Sequence, residues 1–426
     1  MLIAQALLGL LFFILIAWLV SESRSQIRPM FIVTGLASQL VLAFILLKIP
    51  GSLEIFEFLT QVVTALQDAT RQGTAFVFGY LGGGPAPFES LAPQYGFVLT
   101  FQALPLLMVM SALSALLFHW RILPALLKGL AWLLRRSFRI QPPLALAAAA
   151  NVFVGMTEAP LLIRPYLANM TRNELFALMV TGMATIAGTV MVLYVSFLES
   201  IIPNAMQHIL TASLISAPAS LLIAHIMVPG QPEDLAVAES TPPQITTATS
   251  IQSPYDSSMD AVTQGTLSGL QLWLNVMAML LVLVALVALA NMMLGALPAL
   301  SDGSPVTLEK ILGWLMAPIA WLTGIPWREA MPAGELLGVK TVLNEMLAYL
   351  QLIQLPDGSL SERSRIIVSY ALCGFANIAS LGILLGGLTY LAPERRSEIV
   401  ALGWKSLLGG TLATLMTASV AGIVLF

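Results

Sequence analysis

Uncharged apolar runs of bilayer length recur along the whole chain, and they leave it very few folds. A helix needs about 20 apolar residues to cross a hydrocarbon core, where every backbone polar group must be satisfied inside the protein. Leu2–Val20, Met30–Leu47, Phe97–Trp120, Leu175–Leu198, Ile209–Val228, Leu270–Leu300, Ile366–Leu391 and Ile399–Phe426 are eight such runs, the last with Lys405 near its start. They explain why only 10% of the 426 residues are charged and why mean hydropathy reaches +0.88. Soluble domains are about a quarter charged, so a water-soluble globule is excluded. The net charge of −3 gives no basic face for nucleic acid. One cysteine, Cys373, makes neither a disulfide framework nor a thiolate cluster, and His119, His208 and His225 are too scattered for a histidine metal site. Leu2–Val20 lacks a basic n-region and an Ala-x-Ala-like cleavage site, so it reads as a retained first span. The expected class is an all-α polytopic membrane protein.

Loop charges orient the spans, because Lys and Arg accumulate on the cytoplasmic side. Arg121, Lys128, Arg135, Arg136 and Arg139 follow the third span with no acid among them, which places that segment inside. Ile122–Leu134 within it has the pattern of a helix lying in the interface. Glu54, Glu57, Asp68 and Glu89 against Arg71 alone place the loop after the second span outside, with Glu54–Leu66 as a second surface helix. Arg395 and Arg396 mark a further inner loop, and counting eight spans leaves both termini outside. Pro229–Asp260 has five acids and no Lys or Arg, yet acids weigh little in topology, so it stays cytoplasmic. Its Ser, Thr, Pro and Gln content reads as a flexible linker between two halves.

The halves share a broken pattern. Pro142–Asn169 and Leu308–Gln354 are apolar but interrupted by Pro, Gly and charge, and each carries a central acid: Glu158 in Gly155-Met156-Thr157-Glu158-Ala159-Pro160, Glu345 in Leu343-Asn344-Glu345-Met346. About 30 residues beyond each acid comes an interrupted span, Met183-Ala184-Thr185-Ile186-Ala187-Gly188 and Phe375-Ala376-Asn377-Ile378-Ala379-Ser380. By the topology count these spans run in opposite directions. Inverted repeats with re-entrant hairpins and discontinuous helices meeting at the midplane are a transporter architecture.

A carboxylate in the bilayer centre costs at least about 2.5 kcal/mol on insertion scales, so Glu158 and Glu345 either line a cavity or pair with a base, with Arg164 and Lys340 as nearby partners. Glu329 and Glu335 read as structural, nearer an interface. Glu345, Asn377 and Ser380 suit the vicinal hydroxyls of a sugar, since carboxylate and amide offer the needed acceptors and donors. A hard monovalent cation wants an oxygen cage, to which Asn151 and Thr185 contribute side chains and the Val154 and Ile186 regions contribute carbonyls. No nucleotide-binding loop, nucleophile elbow or zinc-protease motif is present.

At these residues the sequence resembles the concentrative nucleoside transporter family, in its bacterial eight-span form. Gly155–Pro160, Gly182–Val190, Asn344-Glu345 and Cys373–Asn377 carry the resemblance, which covers nearly the whole chain and extends to Gly313–Pro318. It implies a homotrimer in a bacterial inner membrane, with a scaffold and an elevator-type transport domain. The implied division is 1–120 for scaffold helices one to three with the external amphipathic helix and 121–228 for the first transport half. It continues with 229–260 for the cytoplasmic linker, 261–300 for scaffold helix six and 301–426 for the second transport half. By resemblance Met156, Thr157 and Glu158 face the nucleobase, Glu345, Asn377 and Ser380 hold ribose, and Val190 and Phe375 pack around the nucleoside. Sodium, as coupling ion and not a cofactor, maps onto Asn151, Val154, Thr185 and Ile186. Family members commonly have Gln at the position of Met156. A thioether cannot both donate to and accept from a base edge, so base preference stays open. The expected activity is cation-coupled nucleoside import, with sodium as the first candidate ion and protons as the alternative. A membrane enzyme using Glu158 and Glu345 is the rival from another class, disfavoured because no nucleophile constellation lies near either.

Overall fold

The computed structural model describes residues 2–89, 96–230, 253–299, 303 and 305–426. Residues 231–252, most of the expected linker, lie outside the described residues. Among the described residues the chain is helical, with no strand. The elements are α1 (Leu2–Leu19), α2 (Pro29–Lys48), α3 (Pro50–Phe78), α4 (Leu106–His119), α5 (Ile122–Phe138), α6 (Pro142–Phe153), α7 (Arg172–Ala184) and α8 (Gly188–Leu198). They continue with α9 (Ala205–Met227), α10 (Ser258–Leu294), α11 (Leu308–Leu322), α12 (Trp327–Val342), α13 (Glu345–Gln354), α14 (Glu362–Leu372), α15 (Ile378–Leu391) and α16 (Arg396–Val424).

From α4 onward the order of elements is run through twice. A span (α4, α10) leads to a helix before the hairpin (α5, α11), then to the hairpin itself (α6 with Ala159–Leu162, α12 with α13). A broken span follows (α7/α8, α14/α15), and an unbroken one ends each unit (α9, α16). The predicted hairpin region 308–354 holds three helices: α11 and α12 meet at a 120° bend, and α12 turns into α13 at Leu343 and Asn344. The predicted surface helices are also longer than expected, reaching Phe78 in α3 and Phe138 in α5.

Local chemistry accounts for the interruptions. Gly155 at the first hairpin tip has φ +98°, and a Cβ there would come within 2.8 Å of Ala187 Cβ, so glycine alone fits both the backbone and the space. In the second half Asn344 and Asn377 act as N-caps. Their side-chain oxygens accept from Leu347 N at 2.8 Å and Ser380 N at 2.7 Å, which restarts the helix after each gap. Thr171 and Glu174 form a capping box that starts α7 beneath the first hairpin.

Packing separates the spans into two groups. α4 lies against α10, where Gly265 and Gly269 permit contact so close that a Cβ would meet Ala112 and Met108 Cα atoms at 2.7 and 2.6 Å. α1 and α2 instead pack on α9 and α16, away from α4 and α10.

Side-chain contacts gather the loops as the charge count expects. Glu22 after α1 pairs with Arg172 at 2.9 Å and Lys405 at 2.7 Å, and Arg395 bonds Glu398 and the carbonyls of Leu167 and Met170. The Arg172 hydrogen bond above all, with Lys405, holds the Glu22 carboxyl at about 2 although partial burial opposes it. At the opposite face Lys48 donates to Leu425 O at 3.1 Å, Arg363 donates to Gly422 O at 2.8 Å, and Gln5 reaches Trp321 O and Ile325 O. Both chain ends and the base of the second hairpin therefore share one side.

Candidate functional site

Two hairpin tips and two helix breaks converge in the interior. The breaks bond directly, Phe375 N donating to Thr185 O at 3.3 Å, and a Cβ on Gly374 would lie 2.8 Å from Ala184 O. Beside this junction is a cavity of about 510 Å³, within the range of small-molecule sites. Met156, Thr157, Glu158, Val190, Glu345, Phe375, Asn377 and Ser380 all line it.

The second half supplies the most rigid part of the wall. Glu345 Oε1 accepts from Tyr194 OH at 2.6 Å and Oε2 accepts from Asn377 Nδ2 at 2.8 Å. Because Asn377 Oδ1 is held by Ser380 N, its amide can present only nitrogen to the carboxylate. Tyr194 is itself fixed by its ring contact with Tyr349, at 4.7 Å between centroids. A carboxylate has about four acceptor positions, so Glu345 retains capacity for hydroxyls placed in the cavity.

The first half is looser. Thr157 and Glu158 are exposed at their tip, facing the cavity. The suggested partnerships with bases do not occur: Arg164 is exposed, and the Lys340 ammonium donates to Ala371 O and Thr414 Oγ1 instead of Glu345. Glu329 bonds Ser361 N, Ser361 Oγ and Arg328, and so fixes the start of α14.

Behind the first tip lies a second polar spot. Thr185 Oγ1 donates to Asn151 O at 3.2 Å and Thr181 O at 2.9 Å. Asn151 is fully buried, and neither Oδ1 nor Nδ2 of its amide has a hydrogen-bond partner. An orphaned buried amide is costly, and its place beside the Thr185 hydroxyl makes this spot the candidate ion position. Ile186 is buried in the adjoining break, and Val154 borders the cavity.

Sequence reasoning missed several lining residues. Ser268, Gln271 and Asn275 of α10, Ser111 and Tyr194 all face the cavity. Their spacing held a signal: Ser268, Gln271 and Asn275 fall at i, i+3 and i+7, one polar stripe ahead of the apolar run 276–290.

The sequence also matches family models of known membrane proteins. Residues 208–422 match the C-terminal part of Na+ dependent nucleoside transporters, residues 8–81 match the N-terminal part, and residues 100–201 match a nucleoside-recognition gate. The chain belongs to the concentrative nucleoside transporter family. The transporter is 37% identical over 418 residues to the uncharacterized transporter YutK of Bacillus subtilis, which covers 98% of each chain. It is 34% identical over 422 residues to the nucleoside permease NupC of Helicobacter pylori, covering 98% of this chain and 97% of that one. Solute carrier family 28 member 3 of Homo sapiens is 32% identical over 98% of this chain and 59% of its own length. CNTnw in an inward-facing substrate-bound state superposes with a TM-score of 0.87 at 34% identity, covering 100% of this chain and 98% of that chain. A CNTnw variant in an outward-facing state gives 0.88 at 33% identity with the same coverage. The transporter is thus a multi-pass membrane carrier of nucleosides and not an enzyme.

Proposed function

We propose that the transporter is a sodium-coupled symporter that imports nucleosides across a bacterial inner membrane by an elevator movement. The observation that carries this reading is the single cavity bounded by both hairpin tips, with the Glu345 carboxylate fixed by Tyr194 and Asn377. Glu345, Asn377 and Ser380 take the ribose hydroxyls. Met156, Thr157 and Glu158 face the base, with Val190 and Phe375 against its rings and Gln271 and Asn275 closing the far wall.

Sodium is assigned to Asn151, Val154, Thr185 and Ile186. The buried, unpartnered Asn151 amide beside the Thr185 hydroxyl fits a hard cation that needs oxygen donors. A bound ion there satisfies the amide oxygen and stiffens the contact of the first hairpin with the first helix break, next to the cavity. Coupling follows if ion and nucleoside favour the same state, since a ligand shifts an equilibrium only by its differential affinity.

For the moving body we propose a division different from 1–120 as scaffold. α1 and α2 pack on α9 and α16, which supports placing them with the hairpins, the broken helices and those two spans. α4 and α10 then form the scaffold, with α3 packed against both groups. The homotrimer rests on the exposed apolar side of α10, including Leu281, Val284 and Met292, and is checked by cross-linking in membranes.

Uptake of labelled uridine and adenosine into proteoliposomes, with and without an inward sodium gradient, tests the reading. Uptake that rises with the sodium gradient supports it. Equal uptake driven by a proton gradient alone overturns the sodium assignment in favour of proton coupling.

A further inference from the structure

The two hairpins place chemically different residues at one equivalent position. The first arm of the first hairpin ends at Phe153 and Asn151 stands two residues before that end; the first arm of the second ends at Val342 and Lys340 stands two residues before it. Each faces the end of the first segment of the following broken span. Asn151 O meets the hydroxyl of Thr185, which closes α7, and Lys340 Nζ donates at 2.6 Å to Ala371 O in the last turn of α14. Both residues are buried, at 0% and 2% exposure. They differ in satisfaction. Asn151 leaves both amide atoms without a partner, while the ammonium of Lys340 is held by the Ala371 carbonyl and by Thr414 Oγ1 at 2.9 Å.

A helix end interrupted inside a membrane exposes carbonyls and the negative pole of its dipole, and both favour a cation. In the first half nothing charged from the protein is bonded there. In the second half a positive charge is covalently supplied, and Lys340 is the one buried Lys or Arg among the described residues. The nearest acid along the chain, Glu345, is engaged by Tyr194 and Asn377, so the ammonium is directed at the helix end and not spent in an ion pair.

Building on the proposed function, we propose that Lys340 is the permanently attached cation of the second half, standing where the first half takes a dissociable one, so that one monovalent cation accompanies each nucleoside. The pseudo-symmetric fold offers two cation positions, and this chain fills one with its own side chain. The second hairpin is therefore closed onto its helix break at every sodium concentration, and only the first is governed by the ion.

A sodium titration of the purified protein without nucleoside, read as thermal stabilisation against the logarithm of sodium concentration, tests this directly. Wild type should give the slope of one bound ion, and reversal potentials in proteoliposomes should give one positive charge per uridine. Lys340→Asn, which copies the first half, should show a slope approaching two and nucleoside binding at least about tenfold weaker at low sodium that recovers at high sodium. Lys340→Met, with neither charge nor ligand oxygen, should bind nucleoside weakly at every sodium concentration. A wild-type slope of two, or Lys340 variants that bind sodium and nucleoside as wild type does, overturns the proposal. If Lys340→Asn fails to fold, Lys340→Met decides: weak nucleoside binding at every sodium concentration supports the proposal, and wild-type binding overturns it. A wild-type slope of one with no nucleoside binding supports the built-in cation while defeating the nucleoside assignment, so the two readings fail separately.

Discussion

The two hairpins of this transporter are built on one plan and finished differently. In the second, the acid at the tip is buried and engaged at both oxygens, and the neighbouring amide is locked by a helix cap. In the first, Glu158 is exposed to the cavity, and the amide behind it has no partner at all. Satisfied buried polar networks hold a single geometry, whereas unsatisfied ones wait for a ligand. The second hairpin is thus the more tightly bonded wall of the cavity. On the proposed function, ribose recognition and ion response fall to the two different halves of the repeat.

The largest test of that contrast is Glu345→Gln. It replaces a charged acceptor with an amide that cannot accept at both positions from Tyr194 and Asn377. Uptake should fall at least about a hundredfold, from loss of about 3 kcal/mol of charge-assisted bonding, with the fold retained by circular dichroism. Glu158→Gln leaves no protein group unpaired and should cost only about tenfold in uridine uptake. Equal losses would erase the distinction between tips. Asn151→Leu comes next: it fills the orphaned position with apolar atoms and should abolish stabilisation by sodium while the Glu345 network stays intact. A sodium-dependent thermal shift preserved in that variant removes the ion site from the first half.

Smaller effects refine the same picture. Met156→Gln should change relative affinities for uridine and adenosine by about threefold to tenfold, consistent with one hydrogen bond of about 1 kcal/mol, without altering the sodium response. The bases of the hairpins also differ: Glu22, Arg172 and Lys405 form a network of ion pairs at the first, while at the second Glu329 mainly accepts from Ser361 N and Oγ and caps a helix. The depressed carboxyl of Glu22 stabilises the folded state fully above its ordinary value of 4.5 and loses that contribution as pH falls through about 2. Acid unfolding followed by fluorescence should therefore be less pH-dependent between 4.5 and 2 in Glu22→Gln. The difference should stay below about 1 kcal/mol, since the group is partly solvated.

Much of the carboxylate geometry was legible in the sequence. Acids, glycines and prolines inside an apolar stretch conflict with an ordinary span, and that conflict marked both hairpins, while the repeated Met183–Gly188 and Phe375–Ser380 pattern marked both breaks. The stripe on α10 was hidden because Ser, Gln and Asn lower hydropathy too little to interrupt a span. Tyr194 was hidden for a related reason: a phenol packs as an aromatic, and only the position of Glu345 reveals its hydroxyl as a donor. The partners of α1 and α2 depend on surface shape, and two apolar helices carry no pattern that names which others they touch. Sequence proximity offers Lys340 as a partner for Glu345, yet its ammonium bonds the Ala371 carbonyl at the helix end.

The bond from Phe375 N to Thr185 O joins the break behind the proposed ion position to the break beside the proposed nucleoside site. A carrier can waste its gradient by slip, in which either passenger crosses alone. On the proposed sodium and nucleoside assignments, this backbone bond ties the two breaks together, so an incompletely loaded carrier would have to strain it to move one break alone. Tight stoichiometry would then be a matter of masonry, written into one main-chain contact where no side-chain substitution can easily remove it.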